Sequence, residues 1–447
     1  MRLADLVPPI SPRKRFFYGW YIVMVGMVAN GLGYGSRYSF AVIFPSLLEE
    51  FKWPRDITAS MLSVHIFIYG IAAPVTGFLV DRTGPRKTMG IGAFLLSLGL
   101  ILSCWANQPW HFWITFGVLS GMGLCFMGSV PFTTVVRNWF DRRRGLAFSL
   151  VFSGFGWAFA CYPVIAWLID RFGWRATFLI LGVFLSAVLI PLFVWVLRYH
   201  PRELGLLADG VTTSPGPSSH SHPNEMQVVD PVWAAVDWTF PKAVKTRRFW
   251  LLALTTFSLW GIMQQLLLAH HVAFAIDVGF PKIYASAVLS LFGFTFAFGA
   301  LAGLVSDRIG REVTITIATV IGISGIAVLS QIQDASRPWM LYYYAISVGV
   351  ANGLSAPTIA ACVTDIFQGA KVGFIIGAIW FGFAVGGTIG PWLGGWLFEV
   401  TGNYISAFAV ATALFAIACV AIWLAAPRKV RRGRRWPSPA SKDRQPT

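Results

Sequence analysis

Apolar residues run on for about twenty positions at a time along most of this chain. Charges, prolines and glycines collect in the gaps between the runs. The gaps mark out twelve candidate helices, spans 1 to 12, near 17–44, 57–80, 88–106, 112–136, 145–168, 174–197, 250–276, 284–305, 313–332, 339–364, 373–398 and 404–426. Each is long enough to cross a hydrocarbon layer of roughly 30 Å. The strands of a membrane barrel would instead alternate polar and apolar positions over roughly ten residues, which this pattern does not do. The expected class is an all-α membrane protein. The pattern lapses between Tyr199 and Thr246, where "DGVTTSPGPSSHSHPNE" (209–225) is too polar to bury a core and reads as a flexible linker. The expected organisation is therefore a tail (1–16), a six-helix bundle (17–198), a linker (199–248), a second six-helix bundle (249–426) and a basic tail (427–447).

Composition agrees with that class. Hydrophobic residues make up 56% of the chain and charged ones 12%, where a soluble surface takes about 25% charged. The charges also sort by side. With both termini inside, 28 of the 35 lysines and arginines fall on the inner face and six on the outer (Lys52, Arg55, Arg171, Arg175, Lys282, Arg337), leaving Arg37 within span 1. That bias predicts a multi-pass protein of the plasma (inner) membrane with cytoplasmic termini. The net charge of +16 is then a topology signal and not the footprint of a nucleic-acid partner. The tail "PRKVRRGRRW" (427–436) also suits anionic headgroups of the lipid bilayer.

Catalytic and metal chemistry find little support. The five cysteines lie in apolar runs without the spacing of a metal site or disulfide framework, and are expected as small buried residues. His220 and His222 are expected to be solvated in the linker. No nucleophile–base arrangement or phosphate loop stands at useful spacing, so no enzyme, no metal and no cofactor are expected.

The two halves resemble each other. "GFLVDRTGPRK" (77–87) follows span 2 and "GLVSDRIGRE" (303–312) follows span 8, with Asp81 and Asp307 offset by 226 positions. Pro163 and Pro391 are offset by 228, and Gly173 and Gly402 by 229. This is the pattern of a duplicated bundle in parallel repeat. On these residues the chain resembles the major facilitator superfamily over its whole length. The signature stands as Gly77, Asp81, Arg82, Gly84, Arg86 and Lys87, and again as Gly303, Asp307, Arg308, Gly310 and Arg311. The glycines are expected to let helices approach closely, and the aspartates to latch the inner face when it is closed. "WFDRRRGLAFSLVFSG" (139–154) and Gly19-Trp20 resemble the monocarboxylate transporter and oxalate–formate exchanger branch. Animal members of that branch carry an arginine in span 8; here "ASAVLSLFGFTFAFGALAGLV" has no charge. That binding residue does not carry over.

Arg37 is the exception within span 1. An arginine deep in a bilayer costs about 3 kcal/mol on insertion scales, so its presence asks for a reason. The resemblance implies a substrate-facing cation near this point. Gly31, Gly33, Gly35 and Ser36 leave room beside the helix for a ligand, and an arginine grips a carboxylate by paired hydrogen bonds. The competing reading is snorkelling to the outer interface, or pairing with Glu49 or Glu50. Span 7, the counterpart of span 1, places Gln264, Gln265, His270 and His271 at matching depth. The candidate substrate contacts are Arg37, Tyr34, Asn30, Gln264, His270, His271 and Tyr344. No carboxylate lies deep in a span, so a carried proton would ride on His65, His270 or His271, or on the cargo.

The expected function is secondary active transport of a small organic anion, monocarboxylate-like, by alternating access. Coupling to protons is left open, and the carrier is expected to work as a monomer. Two alternatives stay open: efflux of hydrophobic compounds, and a membrane sensor or scaffold that transports nothing.

Overall fold

Continuous apolar runs can satisfy their backbone groups in lipid only by coiling into helices, and helix fills nearly all of the structure. The computed structural model describes residues 17–140, 144–206, 227–302, 306–368 and 372–432. Gly303 and the side chains of Asp81, Asp307 and Arg308 lie outside the described residues. Among the described residues, ten helices are long and apolar enough to cross a membrane. One of them, Ser153–Val196, turns at Gly173 (φ 76°), the boundary expected between spans 5 and 6. Span 1 stands apart from the ten as Gly19–Tyr38 followed by Phe40–Phe51. Two serines stand at the joint: Ser36 Oγ donates to the Gly33 carbonyl and Ser39 Oγ to the Ser36 carbonyl, each at 2.7 Å. The joint falls two residues after Arg37, and Ser39 keeps helical dihedrals there.

Glycines set the spacing between rods. A Cβ at Gly123 would lie 2.3 Å from the Leu96 nitrogen, and one at Gly353 2.2 Å from the Phe296 carbonyl oxygen, so spans 3 and 4, and spans 8 and 10, touch backbone to backbone. The space beside glycines 31, 33 and 35 is taken by the Gly154 carbonyl, the Leu124 side chain and the Ala158 carbonyl, at 3.4, 2.7 and 3.2 Å from a built Cβ. This corrects the expectation that they leave room for a ligand: helix packing takes the space.

The bundles meet at mid-depth and at the end opposite the linker. Spans 2 and 11 lie against each other there, with Gly395 on the backbone of Arg55 and Asp56. Span 5 meets span 8 where Ser290 Oγ donates to the Phe159 carbonyl at 2.6 Å. Lys282 of span 8 reaches Ser46 at 3.1 Å and Asp170 at 3.7 Å.

Two expectations need correction. The linker is not loose over all of 199–248. Residues 227–228 pair antiparallel with 431–432 of the C-terminal tail. Trp233 Nε1 donates to the Ile366 carbonyl at 2.7 Å, and the Trp238 main chain donates to the Gln368 carbonyl at 2.9 Å. Two tryptophans in a polar stretch are enough to fasten it beneath spans 10 and 11. The quoted stretch 209–225 lies outside the described residues. Cys161 is exposed rather than buried, because it sits where span 5 breaks between Trp157 and Tyr162.

Candidate functional site

Arg37 leaves span 1 two residues before the joint at Ser39 and stays inside the protein, 1% exposed. Its guanidinium carbon lies 4.3 Å from the Tyr69 ring centroid and 5.2 Å from that of Tyr34. Among the described residues, Nε, Nη1 and Nη2 have no hydrogen-bond partner. Neither snorkelling nor a pairing with the nearby glutamates describes this geometry: Glu50 accepts from Trp174 Nε1 at 2.6 Å and pairs with Arg175, and Glu49 is exposed.

The walls around it come from several spans. The Tyr34 and Tyr69 hydroxyls lie 2.7 Å apart, joining spans 1 and 2. Phe155 of span 5 stacks on Tyr34 at 3.8 Å between centroids. One turn along, Gln265 Nε2 donates to the Tyr38 hydroxyl at 3.3 Å, a contact between the bundles, while its Oε1 has no partner. Tyr38 stacks on Phe159, which meets Phe292 of the second bundle; both centroid separations are 5.3 Å. The arrangement is one desolvated guanidinium in an aromatic wall that crosses the bundle boundary. Chemically it can accept an anion with two charge-assisted hydrogen bonds.

The other sequence candidates fall elsewhere. Asn30 Nδ2 donates to the Val151 carbonyl at 3.2 Å, a tie between spans 1 and 5. Gln264 is buried, but Gln265 is the member of the pair that meets span 1. His65 donates from Nδ1 to the Phe116 carbonyl at 3.0 Å, tying span 2 to span 4. His271 stacks on Tyr344 at 5.4 Å, inside the second bundle. A small cavity there is lined by His270, His271, Tyr344 and Tyr404, among others. His270 bonds to Tyr404 and to the Pro391 carbonyl at the end opposite the linker. Tyr38 and Tyr69 were not legible as site residues, since a tyrosine in an apolar run looks the same on any face.

In the signature loops, Gly84 (φ 80°) and Gly310 (φ 100°) hold the turns into spans 3 and 9. Arg311 donates from Nε to Asp365 at 2.9 Å and from Nη1 to Ser306 at 2.5 Å. Among the described residues nothing stands within 4 Å of a Cβ at Gly77, so none of them makes the close approach expected there.

Long apolar helices in two bundles, with a buried cation one residue before Tyr38 and its bond across the bundle boundary, are the frame of a helical membrane transporter. The comparisons narrow the class. The model of the Major Facilitator Superfamily matches residues 26–381 and 296–446, and the chain belongs to that family. It is 26% identical over 398 residues to monocarboxylate transporter 13 of Bos taurus, covering 89% of this chain and 86% of that one. It is 25% identical over 426 residues to the uncharacterized MFS-type transporter YcxA of Bacillus subtilis (strain 168), covering 92% and 95%. Among solved structures, a bacterial homolog of the human lysosomal transporter Spinster, inward-facing and unoccupied, superposes with a TM-score of 0.66. That match has 16% identity and covers 94% of this chain and 99% of the other. The protein is thus a transporter of this superfamily related to monocarboxylate transporters, and not an enzyme.

Proposed function

We propose that this chain moves a small organic anion, monocarboxylate-like, by alternating access between two six-helix bundles of a twelve-span carrier. One observation carries the reading: a guanidinium 1% exposed, with three nitrogens unpartnered among the described residues, set beside two tyrosines near the bundle boundary. A carboxylate fits it in charge and shape, and a neutral apolar compound does not. The linker end faces the cytoplasm of the inner membrane, in keeping with the distribution of lysine and arginine. The described state has its bundles joined at the opposite end, while a Cβ at Gly77, at the linker end, would meet no described residue within 4 Å. In the alternate state the Asp81 and Asp307 loops would latch the linker end.

The test is uptake of a carboxylate panel by proteoliposomes, with and without a protonophore. Arg37→Ala is expected to reduce carboxylate uptake to background while the protein stays folded and inserted. Undiminished uptake by that variant would remove the anion reading and favour efflux of hydrophobic compounds. Carboxylate binding without flux would favour a sensor.

A further inference from the structure

The end opposite the linker holds a row of hydrogen bonds whose directions chemistry dictates. His270 Nε2 lies 2.8 Å from the Pro391 carbonyl oxygen, which can only accept, so Nε2 carries hydrogen. In the neutral ring Nδ1 is then the acceptor, and the group 3.1 Å from it is the Tyr404 hydroxyl. Tyr404 gives its single hydrogen to His270 and accepts in turn from Arg55 Nη1 at 2.7 Å. Arg55 also donates through Nη1 and Nη2 to the two oxygens of Asp277, at 2.7 and 2.9 Å. Its main-chain N–H meets Glu399 Oε1 at 2.7 Å, and its guanidinium stands 3.9 Å over the Phe398 ring. Arg55 opens span 2, in the first bundle; every other member belongs to the second. The row is complete only while the bundles are joined at this end.

We propose that His270 is a proton-binding site that unlocks this end of the carrier. The inference rests on the alternating-access reading, in which this end faces the outside. A proton arriving at Nδ1 turns the ring from acceptor to donor toward Tyr404. The Tyr404 oxygen then faces two donors, and its own hydrogen has lost its acceptor. The imidazolium also stands one hydroxyl away from a guanidinium. Once the bundles part, Arg55 leaves with the first bundle and the Tyr404 oxygen accepts from the imidazolium alone. Proton binding therefore favours the parted form, and reclosure expels the proton. Only the Nδ1–H bond forms and breaks.

The groups packed on the ring leave this route open. Phe44 of span 1 meets the ring at 5.4 Å in a T-shaped contact, span 11 presents Gly394 and the Pro391 carbonyl, span 12 presents Tyr404, and the small cavity the ring lines is shared with the neutral groups His271 and Tyr344. The charged groups are Arg55 and, beyond it, Asp277 and Glu399. Side chains of Arg55 and Asp277 are 17% and 35% exposed, so solvent at that end reaches the start of the row. Protonating either carboxylate would also loosen the end, and the test must isolate the histidine.

Spin labels at the exposed positions Gln108 and Ser336, one at this end of each bundle, would report the separation on a cysteine-free background in lipid nanodiscs without cargo. Between about pH 8 and pH 5, where histidine titrates, the long-distance population is expected to grow several-fold. His270→Gln keeps a donor for Pro391 and an acceptor for Tyr404 but binds no proton, and its distances are expected to be pH-independent. Tyr404→Phe cuts the row and is expected to lose the response too, which decides the matter should the glutamine variant not fold. Arg55→Ala is expected to show the long distance throughout. A pH response that survives in His270→Gln, or no response with His270 intact, overturns the proposal. Neither result touches the anion reading, and failed uptake of every carboxylate would leave this proposal standing.

Discussion

Burying the Arg37 guanidinium costs several kcal/mol even after the protein relaxes. The ring faces of Tyr34 and Tyr69 return about 2 kcal/mol when desolvated. The side chain is therefore a net liability to the protein's own stability, which is the signature of a group kept for a ligand. Arg37→Met holds the stem and removes the charge. That variant is expected to be more stable by about 1–4 kcal/mol, the range seen when apolar residues replace buried ions, and to take up no carboxylate. A thermal melt in detergent beside the uptake assay checks both halves; a lower melting temperature would show that the charge supports the fold. Arg37 was legible in the sequence because it is the one charge in a long apolar run. Its companions were not. Tyr69 and Gln265 become neighbours of span 1 only through the crossing of spans 2 and 7, and no periodicity in either helix reports that crossing. His270 and His271 are adjacent in sequence, yet point about 100° apart, and the structure sends one to the joined end and the other to Tyr344.

Helix ends were the most readable feature at the scale of elements. Span 2 runs Arg55–Thr83 where 57–80 was expected, and span 10 runs Pro338–Ile366 where 339–364 was expected, because Pro, Gly and charges mark the ends chemically. The joint inside span 1 was not readable, since Ser39 keeps helical dihedrals and neither proline nor glycine stands at that position. Two glycines let the proposed cycle be pushed in opposite directions. A Cβ at Gly395 would lie 2.7 Å from the Asp56 nitrogen and Cα, which are backbone and cannot give way. Gly395→Ala is expected to favour the form parted at that end by about tenfold or more, since roughly 1.4 kcal/mol of strain is enough. A Cβ at Gly77 meets nothing in the described state, but would obstruct a closed linker end. Gly77→Ala is expected to shift the population the other way. Labelling rates of single cysteines at Gln108 and at Lys87, one exposed position at each end, would report both shifts. Matching shifts in the two variants would contradict the rocking geometry.

Across the whole molecule, the joined end depends on charges that the sequence places in different bundles and that only the tertiary fold brings together. Arg55 and Asp277 are 222 positions apart, and their pairing was invisible in a reading that counted Arg55 simply as an outer-side charge. A partly exposed pair of this kind contributes about 1 kcal/mol by itself. Arg55, however, also holds Tyr404, Glu399 and the Phe398 ring, so its loss should exceed that figure. Asp277→Arg sets two cations face to face and is expected to open this end, raising cysteine labelling there about tenfold or more, equivalent to roughly 1.4 kcal/mol. Adding Arg55→Asp restores opposite charges and removes the repulsion. The restoration should be partial, because an aspartate at 55 makes no bond from its side chain to the Tyr404 oxygen like that of the guanidinium, and no cation lies over Phe398. A double-mutant cycle on labelling rates measures this. Full recovery would mean that the Arg55–Asp277 pair alone joins the bundles; no recovery would mean that Asp277 is incidental and that Arg55 acts through Tyr404. The intermediate result is the one that a shared hub requires, since a guanidinium that serves a carboxylate, a hydroxyl and a ring at once cannot be replaced by returning only its charge partner.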